Sequence, residues 1–195
     1  MNSIMDVVLA MVITGMLILF VMQIEFNTKS HAITLRQNLE TQENLHLVSK
    51  ILEYDLRKIG HNLWTPSRAI HFADSSRIIF SYNKNYHHIY DSIRVDYRIE
   101  PSRSSRNPHD YTLLRKENNA MDNRINLGLS RFRLNYFNQY NTQLPTPVIS
   151  DSLSKIREIE VLLIVENEEG FDNQFARAAY NTRLTPKNLL IEYGR

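Results

Sequence analysis

The chain opens on a block of apolar side chains, not on an alternation. Between Asp6 and Glu25 no residue carries a charge, which leaves 18 consecutive uncharged positions, 7–24, most of them Val, Leu, Ile, Met or Phe. An α-helix of that length, at 1.5 Å rise per residue, crosses most of a hydrocarbon core of about 30 Å, so a membrane helix is predicted there. From Glu25 the pattern turns amphipathic with no Pro or Gly to interrupt it. Leu35, Leu39, Leu45, Val48, Leu52, Leu56 and Ile59 form one stripe, its wider gap bridged by Gln42, and Leu47 and Ile51 broaden it. Arg36, Glu40, Glu43, Lys50 and Asp55 are assigned to the opposite, solvated face. Gly60 is placed just past the helix end, with Arg57 and Lys58 near the negative pole of the helix. One helix running from Ser3 to Ile59, about 80 Å long, is the expectation.

Beyond His61 the period shortens to two. Residues 77–82 read as a short strand, and Ile93, Val95, Tyr97 and Ile99 alternate with Arg94, Asp96, Arg98 and Glu100 to give one buried and one wet face. Residues 111–116 follow a Pro- and Ser-rich loop, so these two strands are expected to form a long-looped hairpin. Phe132, Leu134 and Tyr136 make a further strand, and Ile159, Val161, Leu163 and Val165 mark the strongest one, within 156–166. Residues 178–193 supply a last edge strand interrupted at Pro186. The predicted fold is α+β, a long N-terminal transmembrane-plus-amphipathic helix packed on an antiparallel β-sheet head. Its organisation is 1–24 as membrane and assembly helix, 25–60 as the amphipathic continuation, and 61–195 as a β-rich globular head.

Composition narrows this picture. At 195 residues, with one membrane helix set aside, there is room for a single soluble domain of moderate size. The 23 Lys and Arg nearly balance the 21 Asp and Glu, so charge gives no argument for a nucleic-acid partner. Zero cysteines exclude disulfides, thiol chemistry and Cys-ligated zinc.

The informative residue in the apolar run is its acid. A carboxylate at a helix centre in lipid costs about 2.5–3.5 kcal/mol, less near the interface. Asp6 therefore either sits at headgroup level, favoured by the helix macrodipole, or pairs with a cation inside an apolar assembly. Counted from Asn2, Asp6 is fifth and Gly15 fourteenth, and this pattern resembles the mature N-terminus of type IV pilins and type II secretion pseudopilins. The resemblance implies that Asp6 neutralises the N-terminal amine of a neighbouring subunit in a filament core, and that Asn2 is the processing site if a leader is removed. Asp stands where that family has Glu, and Met1 alone stands where it has a basic leader. The simplest expectation is a leader missing from this sequence. The stretch 42–60, with Asp55-Leu56-Arg57 and Gly60, looks like minor subunits of the W (pilus) or J (pseudopilus) type, as does the layout of helix, short strands and a final Thr185-Pro186-Lys187-Asn188 turn.

Candidate chemistry in the head is sparse. His87 and His88 are adjacent, and neighbours on a strand point to opposite faces, so they read as loop histidines. Glu166, Glu168, Glu169 and Asp172 lie in an acidic turn; calcium occurs in the heads of some pseudopilins, but the turn lacks EF-hand spacing and reads as a solvated hairpin loop. Arg103, Arg106 and Tyr111 read as a wet loop. There is no Gly-rich phosphate loop, no nucleophile elbow and no metal-binding His helix, so neither catalysis nor a cofactor is expected. The function expected is a minor pilin or pseudopilin that assembles into, or primes, a type IV pilus or type II secretion pseudopilus. Its partners would be other subunits, the inner-membrane assembly platform, membrane lipid and a prepilin peptidase, with the head in the periplasm or on a surface filament. The competing expectation is a singly anchored periplasmic or extracellular binding module in which Asp6 is incidental.

Overall fold

In the computed structural model, residues 2–84, 92–103, 105–168 and 175–190 are described. The chain divides into two compact units, Met1–Leu39 and Glu40–Arg195. Helix α1, Asn2–Leu56, supplies all of the first unit and opens the second. In the first unit every large apolar side chain from Ile4 to Ile24 is at least half exposed. The best 18-residue window of this helix has a mean hydropathy of 2.6, which suits it to cross a membrane by length and composition. The hydroxyls of Thr14, Thr28 and Thr34 each donate to the carbonyl four residues back, at 2.8, 2.8 and 3.1 Å, so their polar groups are satisfied without leaving the helix.

The second unit is an antiparallel sheet covered on one face by the end of α1. Its strands are β1 (Ile70–Ala73), β2 (Arg77–Asn83), β3 (Ser92–Pro101), β4 (Tyr111–Glu117), β5 (Asn123–Phe137), β6 (Gln143–Leu144), β7 (Glu158–Glu166) and β8 (Arg177–Leu184). They lie in the order β1-β2-β3-β4-β5-β7-β8, with β6 paired to β5. Short helix α2, Ser150–Leu153, separates β6 from β7. This is the helix-on-antiparallel-sheet architecture expected from the patterning: residues 77–82 form a strand, β2, as expected, and the alternations read in β3, β5 and β7 point as assigned. Phe80, Tyr97, Leu113, Leu134, Tyr136, Val161 and Leu163 face inward and meet Val48, Leu52, Leu56 and Ile59, each 5% exposed or less. Pro101 pairs with Tyr111, closing the long-looped hairpin, and β8 is an edge strand that ends before Pro186.

Strand β5 serves two long neighbours besides the short β6. Its first half pairs with β4 and its second with β7, and the register shifts near Leu129 on both sides. Gly128 stands at that bend with φ +71°, and a Cβ there would fall 2.2 Å from the Glu166 carbonyl oxygen, so only glycine fits. The main chain of Ser75, in the β1–β2 turn, accepts from Leu134 N–H at 2.8 Å and thereby ties the first hairpin to the far half of β5.

Several expectations about α1 are corrected. The helix stops at Leu56, three residues early, and Gly60 does not cap it. Gly60 takes φ +75° in the connection that follows, where its N–H donates to Ser81 O of β2 at 3.1 Å. The buried stripe is Thr41, Val48, Ser49, Leu52, Asp55, Leu56 and Ile59, with Leu45 half-buried. Thr41 bridges the wide gap and Gln42 is exposed. Leu35, Leu39, Leu47 and Ile51 are exposed, and Asp55, assigned to the wet face, is buried. Strands β1 and β6 and helix α2 were not anticipated, being two to four residues long and too short to show a period.

Candidate functional site

Two regions carry chemistry. The first is the start of α1. Asp6 and Gly15 lie on the helix, Asp6 exposed and without an ion pair among the described residues. A Cβ added at Gly15 would meet nothing within 4 Å, so the helix offers a backbone surface there that another helix can approach closely. Asn2 begins the helix. An acid, a small residue and an apolar surface are thus set along one rod that stays exposed among the described residues.

The second region is built where α1 leaves the sheet. The inward row of the sheet reads Ile78, Tyr97, Arg115 across β2, β3 and β4, and Asp55 comes down on it from the helix. Its carboxylate accepts from Tyr97 Oη at 2.7 Å and from Arg115 Nε at 2.6 Å, with Lys58 Nζ at 3.5 Å. Arg115 also reaches Glu117. Each of these partners of the nearly inaccessible carboxylate is a charged or hydroxyl donor, the condition under which burying such a group is tolerable. Burial first, and then the neighbouring Asp55 charge, push the Tyr97 phenol far above its ordinary range. Burial alone would lower the Arg115 guanidinium, and its bonds to Asp55 and Glu117 more than reverse that, so it stays charged. Tyr180 of β8 donates to Glu53, two residues before Asp55 and so on another side of α1. The helix end is therefore clasped to β3, β4 and β8 by polar side chains as well as by the apolar core. Arg98 and Arg77 form a separate ladder with Asp96 and Asp122, including 2.7 Å contacts Arg77–Asp96 and Arg98–Asp122.

Of the acidic-turn residues, Glu166 ends β7 and is committed: it accepts from Asn107 Nδ2 at 3.2 Å and faces Arg177 at 3.9 Å. Glu168 follows in the turn, whereas Glu169 and Asp172, like His87 and His88, lie outside the described residues. Among the described residues no group of three or more His, Cys, Asp or Glu is placed to hold a metal ion. Sequence reasoning missed the Asp55–Arg115–Tyr97 group. Its signal was present, since 41, 45, 48, 52, 55 and 59 recur at four and three, and Arg115 stands two residues from Leu113 on the inward face of β4.

This long apolar N-terminal helix continuing onto an antiparallel sheet is a type IV pilin-like fold. It is similar to the solved structure of the type IV-like pilin TTHA1219 from Thermus thermophilus, with a TM-score of 0.53 and 13% identity over 76% of this chain and 96% of that one. No family model matches the chain, and no curated protein matches it.

Proposed function

We propose that the chain is a structural subunit of the pilin type, a minor pilin or pseudopilin, anchored in the inner membrane by α1 and recruited from there into a filament or its priming complex. The observation that carries this reading is the exposed apolar helix with one acid, Asp6, near its start, continuous with a head of pilin-like fold. Lipid can cover the apolar side chains but leaves an ionised Asp6 without a partner, at a cost of up to about 3 kcal/mol that depends on depth. A neighbouring subunit removes that cost by presenting its N-terminal amine, so the charge pair exists in the assembled state alone. Gly15 supports the reading by leaving room for a second helix. The partners are other subunits, the assembly platform, lipid, and a peptidase that exposes Asn2 as the first mature residue. The absence of cysteine favours a minor role over that of a major subunit stapled by a disulfide.

The test has two parts. The N-terminal peptide of protein taken from its native membrane is expected to begin at Asn2 with an added methyl group. Asp6→Ala is expected to insert normally and to be lost from sheared filaments or from crosslinks to other subunits by tenfold or more. Retention of Asp6→Ala in filaments at normal levels, or a peptide that keeps a longer uncleaved extension, refutes the reading and makes the chain a singly anchored binding module.

A further inference from the structure

Where α1 ends beside β2, the head holds an open cleft of about 570 Å³. Tyr54, Arg57, Lys58 and His61 line it from the helix side, Lys84 from the end of β2, and Glu117 from β4. Among the described lining residues, Arg57, Lys58 and Lys84, with His61, face a single acid, Glu117. Lys58 is held between Asp55 and the Tyr54 ring, 3.6 Å from the ring centre. Arg57, with 63% of its side chain exposed, has only a 3.8 Å pairing with Glu53. His61 and Lys84 are exposed and make no ion pair among the described residues. Glu117 is already engaged by Arg115. A concave surface with surplus positive charge concentrates anions.

The shape and the walls narrow the ligand. The volume falls within the range of small-molecule pockets. Strand β2 is paired on both sides, by β1 and β3, so it has no free edge on which an extended peptide could add as a strand. Tyr54 is 66% exposed even with the Lys58 ammonium seated over its ring, so ring surface remains to lie against a flat apolar face. Cations at the rim and an aromatic plate beside them suit a ring that carries one acidic group and several hydroxyls. We propose that this cleft binds a small anionic sugar, a hexose bearing a carboxylate or a phosphate, free or at the end of a saccharide chain, with Arg57 and Lys84 on the anion and Tyr54 on the ring.

The proposal is independent of filament assembly and is tested on the unassembled full chain in detergent micelles. Saturation-transfer NMR and calorimetry would be run with glucuronate, glucose 6-phosphate, glucose and inorganic phosphate. At least one of the two anionic sugars is expected to bind tenfold or more tightly than glucose and than phosphate, and the preferred one assigns the acidic group. The double substitution Arg57→Glu with Lys84→Glu, checked for folding by circular dichroism, is expected to weaken that binding at least tenfold, and Lys155→Glu, exposed on another part of the head, to change it less than twofold. The proposal is overturned if neither anionic sugar binds, if glucose binds as well, if phosphate alone binds as tightly so that only an adventitious ion is involved, or if the folded double variant binds unchanged.

Discussion

Replacing Asp55 by Asn tests how the helix is fastened to the sheet. The side chain keeps its size, so packing against Leu52 and Leu56 is retained and the change is electrostatic. The carboxylate is 4% exposed and balances Arg115, itself 18% exposed, at 2.6 Å. Removing one member of a buried pair leaves the other charge uncompensated, which costs about 3–5 kcal/mol. Arg115 keeps Glu117, which is 40% exposed and so a weaker, partly screened partner; the lower end, about 3 kcal/mol, is therefore the expectation. Against a typical stability of roughly 5–15 kcal/mol that is a substantial fraction, and for a head of this size it lowers Tm by about 6–12 °C. Urea and thermal unfolding followed by near-ultraviolet circular dichroism of the tyrosines would measure it. Replacing the whole group, Asp55→Leu with Tyr97→Phe and Arg115→Met, is expected to recover more than half of the loss, because no buried charge or hydroxyl is then left without a partner. A loss below about 1 kcal/mol for Asp55→Asn would falsify the argument that the pair is desolvated.

Three further outcomes follow from the head. Leu52→Ala should cost about 2–5 kcal/mol and Leu47→Ala, 46% exposed, less than about 0.5 kcal/mol in the same urea titration; equal losses would mean that α1 buries a different face. Gly128→Ala should destabilise by about 2 kcal/mol or more, combining the left-handed backbone with the clash on the Glu166 carbonyl, and a neutral result would show that β5 does not bend there. Burial, aided by the charges of Asp55 and Glu53 respectively, raises the folded pKa of Tyr97 and Tyr180 above the unfolded value of 10.0. A raised folded pKa gives stability that is full below pH 10 and declines as the pH climbs past it, because the unfolded chain releases its phenol protons first. Unfolding midpoints should hold level up to pH 9 and fall above pH 10, with tyrosinate absorbance rising in step with unfolding; early ionisation of all ten tyrosines in folded protein would contradict the burial.

Much of the architecture was legible because burial in this head is one-sided. A sheet covered on one face imposes strict alternation, and Val95, Tyr97, Ile159, Val161 and Leu163 obey it. The apolar start of α1 was legible for the opposite reason, that its side chains are apolar all round and stay exposed among the described residues. What sequence reasoning misread is where polarity and burial part company. Asp55 reads as solvated by its chemistry, yet it lies on the inner stripe because Arg115, sixty residues away, supplies the charge that makes its burial tolerable. Leu35, Leu39, Leu47 and Ile51 were misplaced by the converse error, since an apolar residue outside the contact face need not be buried. The turn at Gly60 deceived because its positive φ serves the connection toward β1, where its N–H pairs with Ser81 of β2, and the last helical turn closes on its own carbonyls.

The order of the strands has a consequence for how the head is made. Apart from the step over short β6, each strand pairs with the one just before it in the chain, so contacts form over short sequence distances and the sheet can grow hairpin by hairpin. Asp55 is synthesised before any strand exists, with Lys58 beside it on the helix end at 3.5 Å from the start. Its hydroxyl donor, Tyr97, comes with β3, and its closest cation, Arg115 at 2.6 Å, comes with β4. The partners that make burial of this carboxylate tolerable are thus complete only in a sheet that includes β4, an order written into the spacing of a few residues.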